Sequence, residues 1–213
     1  MTPMDGMFST GIPDLDRVLC GIRPGDNIVW EVESIADYAK LVKPFVETAL
    51  EQGRRILYFR FARHEPLLQP YKGVEVVHLD PQAGFETFLD GIHHAVELAG
   101  PGAYHVFDSL SDLTADWYCD QMVGNFFLLT CPYLYELNTV AYFALLRRFH
   151  SSFAINPITQ TTQLLLEVYR KNDKLYVHPL KVDGRSSTTM FLLHELDGET
   201  VRALSESHTI SEI

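Results

Sequence analysis

The chain has 213 residues, room for one α/β domain with at most a small appendage. An apolar share of 46% and a charged share of 21% exclude wholesale disorder. A net charge of −11, from 17 basic and 28 acidic residues, argues against nucleic acid and anionic membranes as partners, since no concentrated Lys/Arg patch stands out. Cys20, Cys119 and Cys131 are too widely spaced for a disulfide ladder or a zinc site and fit a reducing cytosol. No basic segment leading into an apolar run occupies Met1 to Thr10, so no signal peptide is expected. The apolar stretch Met122 to Leu146 is interrupted by Asn125, Pro132, Glu136 and Asn138, which predicts a buried helix plus a buried strand rather than a membrane span.

In chain order, the turn Arg23-Pro24-Gly25-Asp26 leads into a first strand over Asn27 to Val32. Tyr38, Leu41, Val42, Phe45, Val46, Ala49 and Leu50 then recur at helical spacing, with Ser34 to Asp37 as a cap and Gly53 as a stop. Pro44 inside that pattern predicts a kink or a restart. Further strands are expected at Arg55 to Phe61, Val74 to Leu79, Ala103 to Phe107 and Thr139 to Leu145. Helices are expected around Phe85 to Val96, ending at Gly100, and over much of Cys119 to Glu136. Such alternation implies an α/β fold with a mainly parallel sheet, covering about 25–150, flanked by helices. Gln163 to Leu180 and Phe191 to Leu204 read as two antiparallel β-hairpins, so the domain is expected to span 1–204. The polar segment 205–213 is expected to be a flexible tail or a linker to a missing domain.

Ligands of such sheets bind beyond the carboxyl ends of the strands, so the loop after the first strand is the first candidate site. A phosphate-binding loop needs glycines, a lysine and a Ser/Thr there. Instead the chain has no glycine between Gly25 and Gly53, and Glu31, Glu33 and Asp37 stand where positive charge is wanted. That composition opposes a triphosphate.

The segments Phe8-Ser9-Thr10-Gly11-Ile12-Pro13-Asp14-Leu15-Asp16 and Gly21-Ile22-Arg23-Pro24-Gly25 resemble the opening of KaiC/RecA-type ATPases. Val106-Phe107-Asp108-Ser109-Leu110-Ser111 is similar to the family's Walker B strand, and Lys181-Val182-Asp183-Gly184-Arg185 to its late K-x-R-G segment. The resemblance implies a RecA/KaiC-like fold in which Asp108 and Ser109 are a vestigial magnesium-binding strand end. It also shows two departures: the phosphate loop is absent, and the family's Glu-Glu pair is replaced by Ala62-Arg63. Gly124 to Leu137 and Tyr176 to Lys181 resemble the N-terminal region of long bacterial PEP/pyruvate-binding, PEP synthase-like proteins.

Arg60, Arg63, Lys181 and Arg185 are candidate anion contacts. Trp117, Tyr118, Phe126, Phe127, Tyr133 and Tyr135 belong to an aromatic-rich stretch that reads either as core packing alone or as core packing together with a protein-binding surface. His93, His94 and Glu97 have no Cys or third His to complete a metal site and read as helix surface, His105 and His178 as hydrogen-bonded structural residues within strands, and Cys119 and Cys131 as buried thiols. The expectation is a non-catalytic scaffold or regulatory module with no cofactor. Its partner is another protein, further domains of the same polypeptide, or a second copy in a dimer. The alternative is an effector-binding domain of a PEP synthase-like phosphotransferase whose catalytic domains lie outside this chain.

Overall fold

The opening segment folds back on itself before the sheet begins. Asp16 accepts hydrogen bonds from Ser9 Oγ (2.5 Å), Thr10 N (2.9 Å) and Thr10 Oγ1 (2.7 Å), which sets the start of a short helix α1 (Pro13–Val18). Gly11 has φ +80°, and a Cβ there would sit 2.1 Å from the Pro44 carbonyl oxygen. Only glycine fits so close to a backbone in that conformation. The computed structural model describes residues 8–68, 72–198 and 200–204.

Nine strands follow in one sheet: β1 (Asn27–Val32), β2 (Ile56–Arg60), β3 (Val74–His78), β4 (Tyr104–Ser109), β5 (Val140–Leu146), β6 (Leu164–Lys171), β7 (Lys174–Val182), β8 (His194–Asp197) and β9 (Thr200–Ala203). Their spatial order is β3-β2-β4-β5-β1-β6-β7-β8-β9. Pairings from β3 through to β6 are parallel, and those among β6, β7, β8 and β9 are antiparallel. The expected parallel core with antiparallel hairpins is therefore present.

The helices form two layers. On one face lie α1 and α2 (Ile35–Glu51), packing Tyr38, Phe45 and Val46 against Trp30, Tyr58 and Tyr142. On the other lie α3 (Phe85–Ala99), α5 (Asp120–Glu136) and α6 (Ser152–Thr161), covering Val29, Phe59, Phe107 and Phe143. A short α4 (Leu113–Trp117) leads into α5. Period-2 alternation explains the division, since Tyr142 and Phe143 enter opposite cores. Phe107 stacks on Phe59 at 4.5 Å and on Phe143 at 4.4 Å, and Phe45 stacks on Tyr142 at 3.8 Å. Such pairs contribute roughly 0.5–1.5 kcal/mol each beyond their buried area.

The structure departs from the sequence expectations in three places. Helix α2 runs unbroken through Pro44, where the tertiary contact with Gly11 holds the backbone and no restart is needed. Helices α1, α4 and α6 fall in segments without a clear helical pattern. Strand β8 begins at His194, not Phe191, because Met190 N and Leu192 N donate to Ser187 and Thr189 carbonyls in turns. The expected tail, 205–213, lies outside the described residues.

Candidate functional site

The direction of the crossovers locates the crevice. The chain leaves β1 through α2 on one face and leaves β5 through α6 on the other, so the two loops part at the carboxyl ends of adjacent strands. In open α/β sheets this is where ligands bind. Here the gap is closed from within. Arg147, just after β5, donates its backbone N–H to the Val32 carbonyl at 2.9 Å and its Nη1 to Glu33 Oε1 at 3.1 Å. The same guanidinium reaches Glu167 at 3.6 Å and stacks over the Tyr169 ring at 4.0 Å.

On the α2 side, Ser34 caps the helix in the place expected for a phosphate loop. Its Oγ accepts from Asp37 N at 3.3 Å and donates to Asp37 Oδ2 at 2.8 Å. Asp37 is buried and paired with Arg170 on β6, whose own backbone N–H donates to Glu33. On the opposite face, Glu31 and Glu167 are register partners on β1 and β6. Burial, and then repulsion by Glu167, raise the Glu31 pKa against the opposing pull of Arg147.

Asp108, at the end of β4, is fully buried and saturated. Its Oδ1 accepts from Tyr58 OH at 2.5 Å; its Oδ2 accepts from Arg60 Nη1 at 2.5 Å and from the backbone N–H groups of Phe61 and Ala62 at 2.9 Å each. His64 Nε2 lies 3.6 Å from Oδ1. Arg60 is held in turn by the carbonyls of Ala62 and His64. Ala62 contributes only its backbone N–H. Ser109 is buried, and its Oγ has no hydrogen-bond partner.

The four candidate anion contacts are not brought together. Arg60 ends β2, and Arg63, just past it, pairs outward with Asp116 at 2.6 Å. Lys181 and Arg185 lie at the amino ends of the parallel strands, because β7 runs antiparallel and sets Lys181 opposite Leu165. Lys181 Nζ caps the carboxyl end of α6 through the Thr159 and Gln160 carbonyls. Arg185 forms a buried bidentate pair with Asp26 at 2.8 and 2.9 Å and also donates to the Gly21 carbonyl.

The aromatic candidates divide by depth. Phe126 and Phe127 are core residues. Trp117 and Tyr133 are half-buried, with Trp117 packed on Phe85 and Phe88 and Tyr133 on the His93 ring. Tyr118 and Tyr135 are exposed. Cys131 is buried as expected, but Cys119, expected buried, is exposed; Cys20 is exposed too. Cys119 lies outside the core because it immediately precedes α5 in the short link from α4. His105, expected to be hydrogen-bonded, is fully buried in β4 among apolar side chains with neither ring nitrogen partnered, and His178 stands 3.6 Å from Glu167. Among the described residues no group of three or more His, Cys, Asp or Glu is placed to hold a metal ion. Nor is any helix among them long and apolar enough to cross a membrane.

One arrangement escaped the sequence reading. Ser111, just beyond β4, lies 2.7 Å from His150 Nε2, and His150 Nδ1 lies 2.5 Å from Asp120 Oδ1. Asp120 Oδ2 also accepts from Ser151 N and Oγ at 2.7 and 2.6 Å. Burial works against the Asp120 carboxylate, but the hydrogen bonds from Ser151 and His150 outweigh it and hold its pKa below the usual range. The relay has serine-hydrolase connectivity, but Ser111 is only 2% exposed and its Oγ already accepts the Leu146 N–H at 2.9 Å. It therefore ties the ends of β4 and β5 to the starts of α5 and α6. Its members are far apart in sequence, and the one available signal was that Ser111 and His150 each follow a strand end.

No protein-family model matches the chain, and no curated protein matches it.

Proposed function

We propose that this chain is a non-catalytic interaction module: a RecA/KaiC-like domain that neither binds nor hydrolyses ATP and serves as a scaffold or regulatory element. The observation that carries this reading is the internally filled crevice between β1 and β5. A phosphate site presents free backbone N–H groups and a cation. Here Ser34 takes the Asp37 N–H, Glu33 takes the Arg170 N–H, and Arg147 and Arg170 are each engaged by carboxylates. Admitting a triphosphate means breaking those pairs or setting phosphate oxygens beside Glu33 and Asp37. A like-charge contact at about 4 Å costs about 4 kcal/mol at an effective dielectric near 20.

The vestigial Walker B position agrees with this. Each Asp108 oxygen already accepts from the chain's own groups, and Arg60 neutralises the charge that a magnesium ion would otherwise meet. The module needs no cofactor. Its partner is a protein, either separate or part of the same polypeptide, and its free thiols suit the cytoplasm. Calorimetric titration with MgATP at millimolar concentration tests the reading: no binding heat is expected, and a tight magnesium-dependent isotherm would refute it.

A further inference from the structure

We infer that the outer face of α5 and the start of α6 is the contact through which two copies of this chain form a two-fold dimer. The inference rests on the interaction-module reading and names its partner. The sequence carries no Asp, Glu, Lys or Arg from Gln121 to Tyr135 or from Ser151 to Leu166. At the chain's charged share of 21%, these stretches would ordinarily hold about six such residues. The surface helices elsewhere do carry them: α2 has Lys40, Lys43 and Glu47, and α3 has Glu86, Asp90 and Glu97.

The uncharged residues are not all buried. Helices α5 and α6 pack as one layer, with Gly124 against Ala154, where a Cβ would approach the Ala154 carbonyl oxygen to 3.1 Å. The outer side of this layer exposes Leu128, Leu129 (51%), Tyr135 and Phe153 (76%), with Tyr118 and Phe149 beside the helix starts. A helix whose solvent side carries no charge between its two end residues, Asp120 and Glu136, is one whose outer face is built to be covered. Depletion of charge together with aromatic enrichment is the composition of an interface core.

Charge selects the occupant. Each copy carries −11, and a two-fold axis sets a patch against itself, so any charged residue near the axis meets its own like. On this face the charges, Asp120, Glu136 and Arg148, stand only at the ends of the helices, so a two-fold axis through its middle sets no charge against its own like. A basic protein, the unlike partner that this net charge attracts, would be steered to carboxylates such as the exposed Glu86, Asp90 and Glu97 of α3 instead. The second copy supplies an equally uncharged surface by symmetry.

Sedimentation of the full chain over a concentration series, at low and high salt, tests the assignment. A reversible monomer–dimer equilibrium is expected. It should strengthen with added salt, because the ions screen the repulsion between the two acidic bodies while the contact itself contains no ion pair to weaken. Leu129→Glu and Phe153→Glu, both at exposed positions, should each shift the chain to monomer with an unchanged circular-dichroism melt. Leu98→Glu, at an exposed site on α3, should leave the dimer intact. A chain still monomeric at about 100 μM overturns the proposal and assigns the face to an unlike partner. A dimer that survives both glutamate substitutions overturns it as well, since the copies then meet elsewhere. The MgATP titration separates the two readings: an isotherm there refutes the interaction module, whereas a monomer that binds no ATP refutes the dimer alone.

Discussion

Arg60 and Asp108 meet at 2.5 Å, with the carboxylate fully removed from water. The pair joins the ends of β2 and β4, and the Phe61 and Ala62 N–H groups complete it. A polar group this deep is favourable only while every partner stays in place. The centre is therefore a finished structural node and not an open metal site.

Removing one member should expose that dependence. Arg60→Met leaves a buried carboxylate without its cation and should cost about 3–5 kcal/mol in urea unfolding, with the m-value unchanged. A loss below about 1 kcal/mol would show that the backbone donors alone satisfy Asp108.

The Asp26–Arg185 pair makes the same point at the other end of the sheet. Both side chains are buried, so Arg185→Met alone should destabilise by about 3–5 kcal/mol. Adding Asp26→Leu should recover much of that loss, since no unpaired charge then remains. A double variant no more stable than the single one would show that the Arg185 bond to the Gly21 carbonyl and the Arg23 N–H bond to Asp26 Oδ2 dominate.

His105 gives a pH signature. Burial without a hydrogen-bond partner pushes its pKa down to about 3. The folded state therefore refuses a proton that the unfolded chain accepts near pH 6.5. This group's stabilising contribution is complete above that pH and erodes on acidification until about pH 3. Between pH 7 and pH 5 it accounts for a loss of about 2 kcal/mol. Denaturant titrations at the two values should show His105→Leu losing less stability on acidification than the parent; an identical loss would contradict the assignment.

The Ser111 relay should behave as a tie. A fluorophosphonate probe should leave Ser111 unmodified by mass spectrometry, and His150→Gln should lower stability by about 1–3 kcal/mol. Asp120, whose pKa is depressed, adds stability above the ordinary aspartate range and loses it as pH falls through its folded value. Labelling of Ser111 that vanishes in His150→Gln would mean that the relay activates the serine.

A thermal-shift screen should show no specific stabilisation by ATP, ADP, pyruvate or phosphoenolpyruvate. A bound ligand at about 100 times its Kd would add about 2.7 kcal/mol, well within detection. A saturable shift with phosphoenolpyruvate or pyruvate would favour an effector-binding domain.

The strands were the legible part of this fold. Arg55 to Phe61 and Asn27 to Val32 are apolar runs bounded by turn residues, and such runs, buried on both faces, need no partner to be read. Helix α6 was not legible because Asn156-Pro157 and its Thr/Gln-rich end mask a segment held in place by α5. The acidic loop after β1 was visible, but its answering cations, Arg147 and Arg170, come from strands placed beside it only by the crossovers. The same topology separates Arg60 from Arg185, which composition alone could not do. Side-chain pairs across the sheet depend on register, and register is a tertiary property.

The exposed thiol of Cys119 bears on how the chain can be studied. It precedes α5 at the edge of the uncharged layer, while Cys131 is sealed in the core by burial that also raises its pKa. With Cys20→Ser, a maleimide-linked spin label or dye has a single accessible attachment point, beside the surface where a second molecule is expected to settle. The native sequence thus carries its own reporter position, and distances between two labels could be measured without engineering a cysteine into either helix.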